Sequence, residues 1–166
     1  MRLNQLAIRA MDEEHVPGVC RLHDDRDVLD AHPGLALNSR RHWETWLAGA
    51  NSRRFDLVAL RAERVIGWAF LSLHPRERRN HCAEIHLAVA RDERRTGAGS
   101  RLMAGLLILA DDLALGRLEA RVAVNNTVAL DFLAHGGFER EGMLRESRRA
   151  GSRWLDEIVL ARLMER

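Results

Sequence analysis

The chain has 166 residues, and at about 100–200 residues per domain that length predicts one domain over residues 1–166. It is 46% apolar and 30% charged, a globular balance that excludes disordered and collagen-like chains. The longest apolar run, residues 106–110, falls far short of the ~20 residues a membrane helix needs.

All 26 basic residues are arginine, and the formal net charge is only +2. Arginine alternates with Glu and Asp instead of gathering into a stripe, which argues against a nucleic-acid partner. Cys20 and Cys82 form no CxxC and no Cys-His zinc spacing. They read as reduced thiols, and no metal is expected. Residues 1–11 lack the apolar core of a secretory signal, so the expected location is cytoplasmic.

Residues 5–9 read as a first strand. Asp12 follows as an N-cap, with Glu13 and Glu14 favourable in the first helical turn. Val16, Val19, Cys20 and Leu22 share one side of that helix. A polar stretch ends in His32-Pro33-Gly34, a loop signature. Asn38 can cap a second helix, on which Trp43, Trp46 and Leu47 share a face as core or as pocket lining. Residues 55–61 and 65–73 form a predicted antiparallel hairpin. In residues 84–90, Ile85, Leu87 and Val89 alternate with Glu84, His86 and Ala88, the period of a strand. Thr96-Gly97-Ala98-Gly99-Ser100 then opens a long amphipathic helix carrying Leu102, Met103, Leu106, Leu107, Ala110, Leu113 and Ala114. Residues 118–124 are a strand, and Asn126 caps a short helix ending at Gly136-Gly137. Residues 138–145 and 154–163 close the chain as antiparallel strands. This order predicts an α/β (mixed α+β) protein with a central mixed sheet of about 6–7 strands and helices on both faces.

The informative stretch runs from Glu84 to Met103. A helix start leaves backbone N–H groups unpaired at the positive end of its dipole, and phosphates bind there. Gly97 and Gly99 clear the approach, Arg94 and Arg95 add cationic donors, and Ser100 adds a hydroxyl. The run lacks the third glycine of a dinucleotide fingerprint and the lysine of a P-loop.

Arg94-x-x-Gly97-x-Gly99, between an alternating strand and a long helix, resembles the pyrophosphate loop of the GNAT superfamily of N-acyltransferases. Val122, Asn126, Ala129 and Gly137-Phe138 are similar to that superfamily's next segment. Glu141-Gly142 and Trp154-Leu155-Asp156 are similar to a bacterial branch, closest to the YhhY-type L-amino acid N-acetyltransferases. The resemblance implies a three-layer fold, acetyl-CoA as co-substrate, a small-molecule amine acceptor and, at family level, a homodimer. It implies that backbone groups of Leu87 and Val89 pair with the pantetheine arm. It assigns the pyrophosphate to N–H groups of Arg95, Thr96, Gly97, Ala98, Gly99 and Ser100, beside Arg94. Asn126 would hydrogen-bond the pantetheine, and an N–H near Leu87 or Ala88 would polarise the thioester carbonyl.

Amine acetylation needs a neutral amine. Glu84 is the candidate base, its setting resembling the strand glutamate of the histone-modifying branch, and Glu119 is the runner-up. His86 shares a side with Glu84 as a relay or as structure. The superfamily's usual acid is a tyrosine seven residues after the capping asparagine. Here that position is Leu133, and the chain has no tyrosine. Either the thiolate of a thiol with pKa near 8.5 leaves unaided, or the protein binds acyl-CoA without turning it over. At pH 7 roughly 10–15% of an α-amine is neutral against about 0.04% of a lysine amine. That favours a free L-amino acid, with a protein N-terminus or a toxic small amine as the alternative. His23, Asp24, Asp25, Asp27, Asp30 and His32 form either an ammonium-attracting cluster or a solvated loop. Arg76-Glu77-Arg78-Arg79 reads as a solvated loop, or as one reaching the CoA 3′-phosphate or a tRNA-like partner.

Overall fold

A computed structural model describes residues 5–25, 28, 40–49 and 53–165. Seven strands form one sheet in the order β1-β2-β3-β4-β5-β7-β6. They are β1 (Leu6–Ala10), β2 (Arg54–Arg61), β3 (Arg64–Leu73), β4 (Cys82–Val89), β5 (Arg117–Ala123), β6 (Glu139–Ala150) and β7 (Arg153–Leu163). Every neighbouring pair is antiparallel except β4 and β5. Helices lie on both faces, as the element order predicts: α1 (Val16–Leu22) and α2 (Arg40–Ala48) on one, α3 (Ala98–Asp112) and α4 (Thr127–His135) on the other.

The larger core lies under α3. Leu102, Met103, Leu106 and Ala110 recur at helical spacing and are buried against Leu71, Ile85 and Leu118 of the sheet. Each such side chain contributes about 1.5–3 kcal/mol by leaving water. The second core, under α1 and α2, holds Val16, Val19, Trp43, Trp68 and Phe70.

One buried carboxylate ties α2 to the sheet. An oxygen of Asp56 accepts the indole N–H groups of Trp46 (3.0 Å) and Trp68 (3.2 Å), and the other accepts Arg54 Nε–H at 2.9 Å. A carboxylate this buried needs such partners, because an unpaired one carries a large desolvation penalty. Trp43 is therefore core, while half-buried Trp46 spans α2 and the carboxylate.

Two boundaries differ from the sequence reading. Asp12 does cap, but a 3-10 turn over Glu13–His15 precedes α1, because the His15 ring accepts the Asp12 N–H at 3.1 Å and closes the turn early. The last hairpin is longer than its apolar pattern suggests: β6 runs to Ala150 and turns at Gly151, with φ +64°. The added residues pair Arg148 with Leu155 and Ala150 with Arg153 and are largely exposed, so no burial pattern marks them. Asn38, Asp27, Asp30 and His32 lie outside the described residues. His23 belongs to the core rather than to an ammonium site. It packs 4.3 Å from Trp43, its Nδ1 meets Val19 C=O at 2.8 Å, and burial pushes its pKa down.

Candidate active site

β4 and β5 pair in register only over Cys82↔Arg117, Ala83↔Leu118 and Glu84↔Glu119. Beyond Glu84 the parallel ladder stops, while β4 stays paired with β3 out to Val89. The sheet is split there by a wedge between its two central strands.

Strand parity says what faces the wedge. Backbone groups alternate sides along a strand. Ala90 N–H binds Ile66 C=O at 2.9 Å, and Cys82 C=O accepts His74 N–H at 2.9 Å, both on the β3 side. The same parity turns Glu84, His86 and Ala88 toward β3. Leu87 and Val89 then point their N–H and C=O groups into the wedge, where no strand among the described residues meets them. Ala88 N–H is thus spent in the ladder and Leu87 N–H is not. A central strand with a free edge offers an extended ligand the hydrogen bonds of an added strand.

The glycine turn closes the wide end of the wedge. A 3-10 turn (Arg91–Glu93) leads into Arg94, Arg95, Thr96 and Gly97. Arg95 has φ +61° and Gly97 has φ +90°. The latter needs glycine, since a Cβ there is strained even with nothing within 4 Å. Thr96 Oγ1 donates to Glu93 C=O at 2.7 Å and braces the turn. Gly97 is the N-cap of α3, and Arg101 N–H to Gly97 C=O is its first intrahelical bond. The N–H groups of Ala98, Gly99 and Ser100 are left for an anion. Arg94 and Arg95 are exposed beside them. A Cβ on Gly99 would sit 3.5 Å from the Phe132 ring and 3.8 Å from Val89, so it would enter the cradle between β4, α3 and α4 without a clash.

Asn126 opens α4 on the far side of the wedge, at the end of β5. Its side-chain oxygen accepts Ala129 N–H at 3.2 Å, which leaves the amide NH2 as the group able to donate. Leu133 is buried among the α3-side core residues; Phe132, one position earlier, is the residue facing the turn.

The opposite face of the wedge holds the acid–base candidates. Glu84, His86 and Ala88 line the β4 rim; Glu119, Arg121 and Ala123 line the β5 rim. Glu84 is exposed and enters none of the ion pairs among the described residues. Its register partner is held tightly: a Glu119 oxygen accepts Arg79 Nη2–H and Arg117 Nε–H, each at 2.7 Å. Burial pushes the Glu119 pKa up, but the two guanidiniums outweigh it and the net shift is downward. A carboxylate held ionised by two arginines is a weak proton acceptor. Arg117 also forks onto Glu141, through Nη1 at 2.8 Å and through Nη2, which lowers the Glu141 pKa as well. His86 stacks on Phe70 at 5.5 Å and 26°.

The Arg76 to Arg79 loop stands at the other end of β4 from the glycine turn. Eight strand residues separate them, roughly 26 Å at about 3.3 Å per residue, so this loop does not serve an anion bound at the turn. Arg121 escaped attention in the sequence. The signal was present in Leu118, Ala120 and Val122, whose alternation puts Glu119 and Arg121 on the face away from α3.

The Acetyltransferase (GNAT) family model matches residues 8–138. L-amino acid N-acetyltransferase AaaT of Escherichia coli is 24% identical over 162 residues, covering 97% of this chain and 99% of that protein. The crystal structure of a ribosomal-protein-alanine N-acetyltransferase from Brucella melitensis superposes with a TM-score of 0.86 at 26% identity, covering 95% of this chain and 99% of that one. The structure of yncA, an acetyltransferase by its description, from Salmonella typhimurium with its cofactor acetyl-CoA, gives a TM-score of 0.82 at 18% identity, covering 98% of this chain and 95% of that one.

Proposed function

Since the chain belongs to the GNAT acetyltransferase family, we propose that it transfers the acetyl group of acetyl-CoA directly to the primary amine of a small molecule, a free L-amino acid. The observation that carries this reading is the wedge: a free strand edge at Leu87 and Val89, continuous with the unpaired N–H groups at the start of α3. The relative named for L-amino acids supports the choice of acceptor.

The residues present fit acetyl-CoA. The backbone of Leu87 and Val89 matches an extended amide-bearing arm, and the N–H groups from Arg95 through Ser100 match a pyrophosphate. The open cradle at Gly99 admits it, and the Asn126 amide donates from the far wall. When bound, acetyl-CoA supplies the acetyl group and a thiol whose low pKa makes it a good leaving group.

The chain's own part is positioning, polarisation and one proton. Leu87 N–H is preorganised toward a carbonyl in the wedge, where a fixed donor is worth more than water as charge develops. Glu84 faces the acceptor side and takes the proton of the attacking amine, directly or through a water. Glu119 holds Arg117 and Arg79 and fixes the narrow end of the wedge. Leu133, at the position of the superfamily's acid, has no proton to give, and a thiol of pKa near 8.5 needs little help to leave as its thiolate.

Release of free thiol from acetyl-CoA, with L-amino acids, peptides and polyamines as acceptors, tests the proposal. Release with L-amino acids supports it. The likeness to the ribosomal-protein-alanine enzyme favours a second reading, acetylation of a protein N-terminus. Release with peptides alone would establish that instead. No release, with acetyl-CoA still raising the melting temperature, would leave a binding protein.

A further inference from the structure

Three arginines on the acceptor face each meet a carboxylate. Arg54 binds Asp56 at 2.9 Å, Arg117 binds Glu119 at 2.7 Å, and Arg148 lies 3.8 Å from Glu157. Arg121 stands among them and enters no ion pair or side-chain hydrogen bond among the described residues. It is exposed at the middle of β5, a central strand, one alternation beyond Glu119 and next to the open wedge. Its cross-strand neighbour on β7 is Val159, and the diagonal Glu157, in register with Ala123, is engaged by Arg148 and by the Ser147 hydroxyl. The two helices described on this face do not supply one: α1 packs over β3, and α2 is tied to β2 through Trp46 and Asp56.

Geometry relates this cation to Glu84. Glu84 pairs in register with Glu119, and Arg121 lies two residues further on. With about 4.8 Å between strands and about 3.3 Å rise per residue, the two Cα atoms are at least ~8 Å apart on a diagonal across the wedge. One small molecule can bridge that diagonal, with its amine near the Glu84 carboxylate and an anion on the Arg121 fork. A guanidinium is shaped for bidentate carboxylate recognition.

We propose that Arg121 is a specificity-determining residue that binds an anionic group of the acceptor, so that the site selects amines carrying a carboxylate close by over bare amines and polyamines. The inference rests on the proposed acetyltransferase reading and extends it, because it ties the choice of acceptor to one named side chain. A charge-assisted hydrogen bond of this kind corresponds to about tenfold to a hundredfold in selectivity.

The test compares kcat/KM for a panel of L-amino acids with that for the matching amino-acid amides, in wild type, Arg121→Gln and Arg121→Lys. Because acid and amide are compared across variants at one pH, differences in amine reactivity cancel. The acid-over-amide ratio should fall about tenfold to a hundredfold in Arg121→Gln, chiefly through KM for the acid, and recover in part in Arg121→Lys. Acetyl-CoA should still raise the melting temperature of both variants, which shows them folded. An unchanged ratio, or acid and amide falling together, overturns the role of Arg121 and leaves the enzyme reading intact. Wild-type turnover of peptides but of neither acid nor amide overturns the acceptor reading itself, and this inference with it.

Discussion

The two ends of β4 are built in opposite ways. At Cys82–Glu84 the strand is zipped to β5, and a chain of charges runs from Arg79 through Glu119 and Arg117 to Glu141. At Leu87–Val89 the same strand has no partner on that side, and the nearest features are a strained turn, a helix start and two exposed arginines. The closed end engages its strand ladder and four of its charges with one another, and the open end leaves donors and acceptors for a ligand. A split sheet needs both, because strands clamped at one end can stay apart at the other. Glu84 sits at the boundary, the last residue in register and the first charge beside the opening.

The largest expected effect comes from that boundary. Glu84→Gln should lower kcat by about 10²–10⁴, the range for a positioned general base, and should remove the acidic limb of the pH–rate profile. Unchanged kinetics would take the base away from Glu84. Glu119→Gln sharpens the contrast. It should act mainly on stability, because its carboxylate is engaged by two guanidiniums.

The two glycines of the turn separate fold from ligand. Gly97→Ala forces a side chain into left-handed backbone and should lower the unfolding free energy by about 1–2 kcal/mol in urea melts. Gly99→Leu should weaken acetyl-CoA binding at least tenfold by calorimetry, since its side chain fills the cradle, while a Cβ alone makes ordinary contacts. Equal losses of stability in both would mean that Gly99 serves the fold.

The closed end carries a pH dependence whose sign follows from its carboxylates. Glu119 and Glu141 are both lowered in the folded state, Glu119 because its arginines overcome burial and Glu141 chiefly through its hydrogen bond to Arg117. Their contribution is present above the unfolded value of about 4.3 and is lost as pH falls through the lower folded values. Melting temperatures from pH 7 down to 3 should therefore fall more steeply in wild type than in Arg117→Met.

The smallest effect on activity is expected at Leu133. It is buried in the α3-side core, so Leu133→Tyr should cost about 1–3 kcal/mol by overpacking without raising kcat tenfold. A tenfold rise would show that the wild type lacks an acid it could use.

The open end was the more legible in sequence. Gly97, Gly99 and the capping Asn126 act through local backbone geometry, and local geometry is written in adjacent residues. Leu87 and Val89 were named through the resemblance to the superfamily, and the alternation of residues 84–90 marked only the strand that carries them. The closed end was hidden. Arg79 and Glu119 are 40 residues apart, and nothing in either neighbourhood marks the pairing, so Glu119 stood as the runner-up base behind Glu84. The wedge itself is a tertiary property: two strands with ordinary alternation give no sign of where their ladder stops. Leu133 could be read as a departure from a pattern, but its burial depends on α4 packing. The length of the last hairpin was missed because β6 is mostly exposed and rich in arginine, so no apolar alternation marks where it ends.

The most direct test of the account is amide hydrogen exchange along β4, read residue by residue with and without acetyl-CoA. The N–H groups of His86 and Ala88 should be protected throughout. Those of Leu87 and Val89 should exchange rapidly in the free protein and slow at least tenfold when acetyl-CoA is added. Equal protection of all four without ligand, or no slowing of Leu87 and Val89 with it, would contradict the wedge as the binding site.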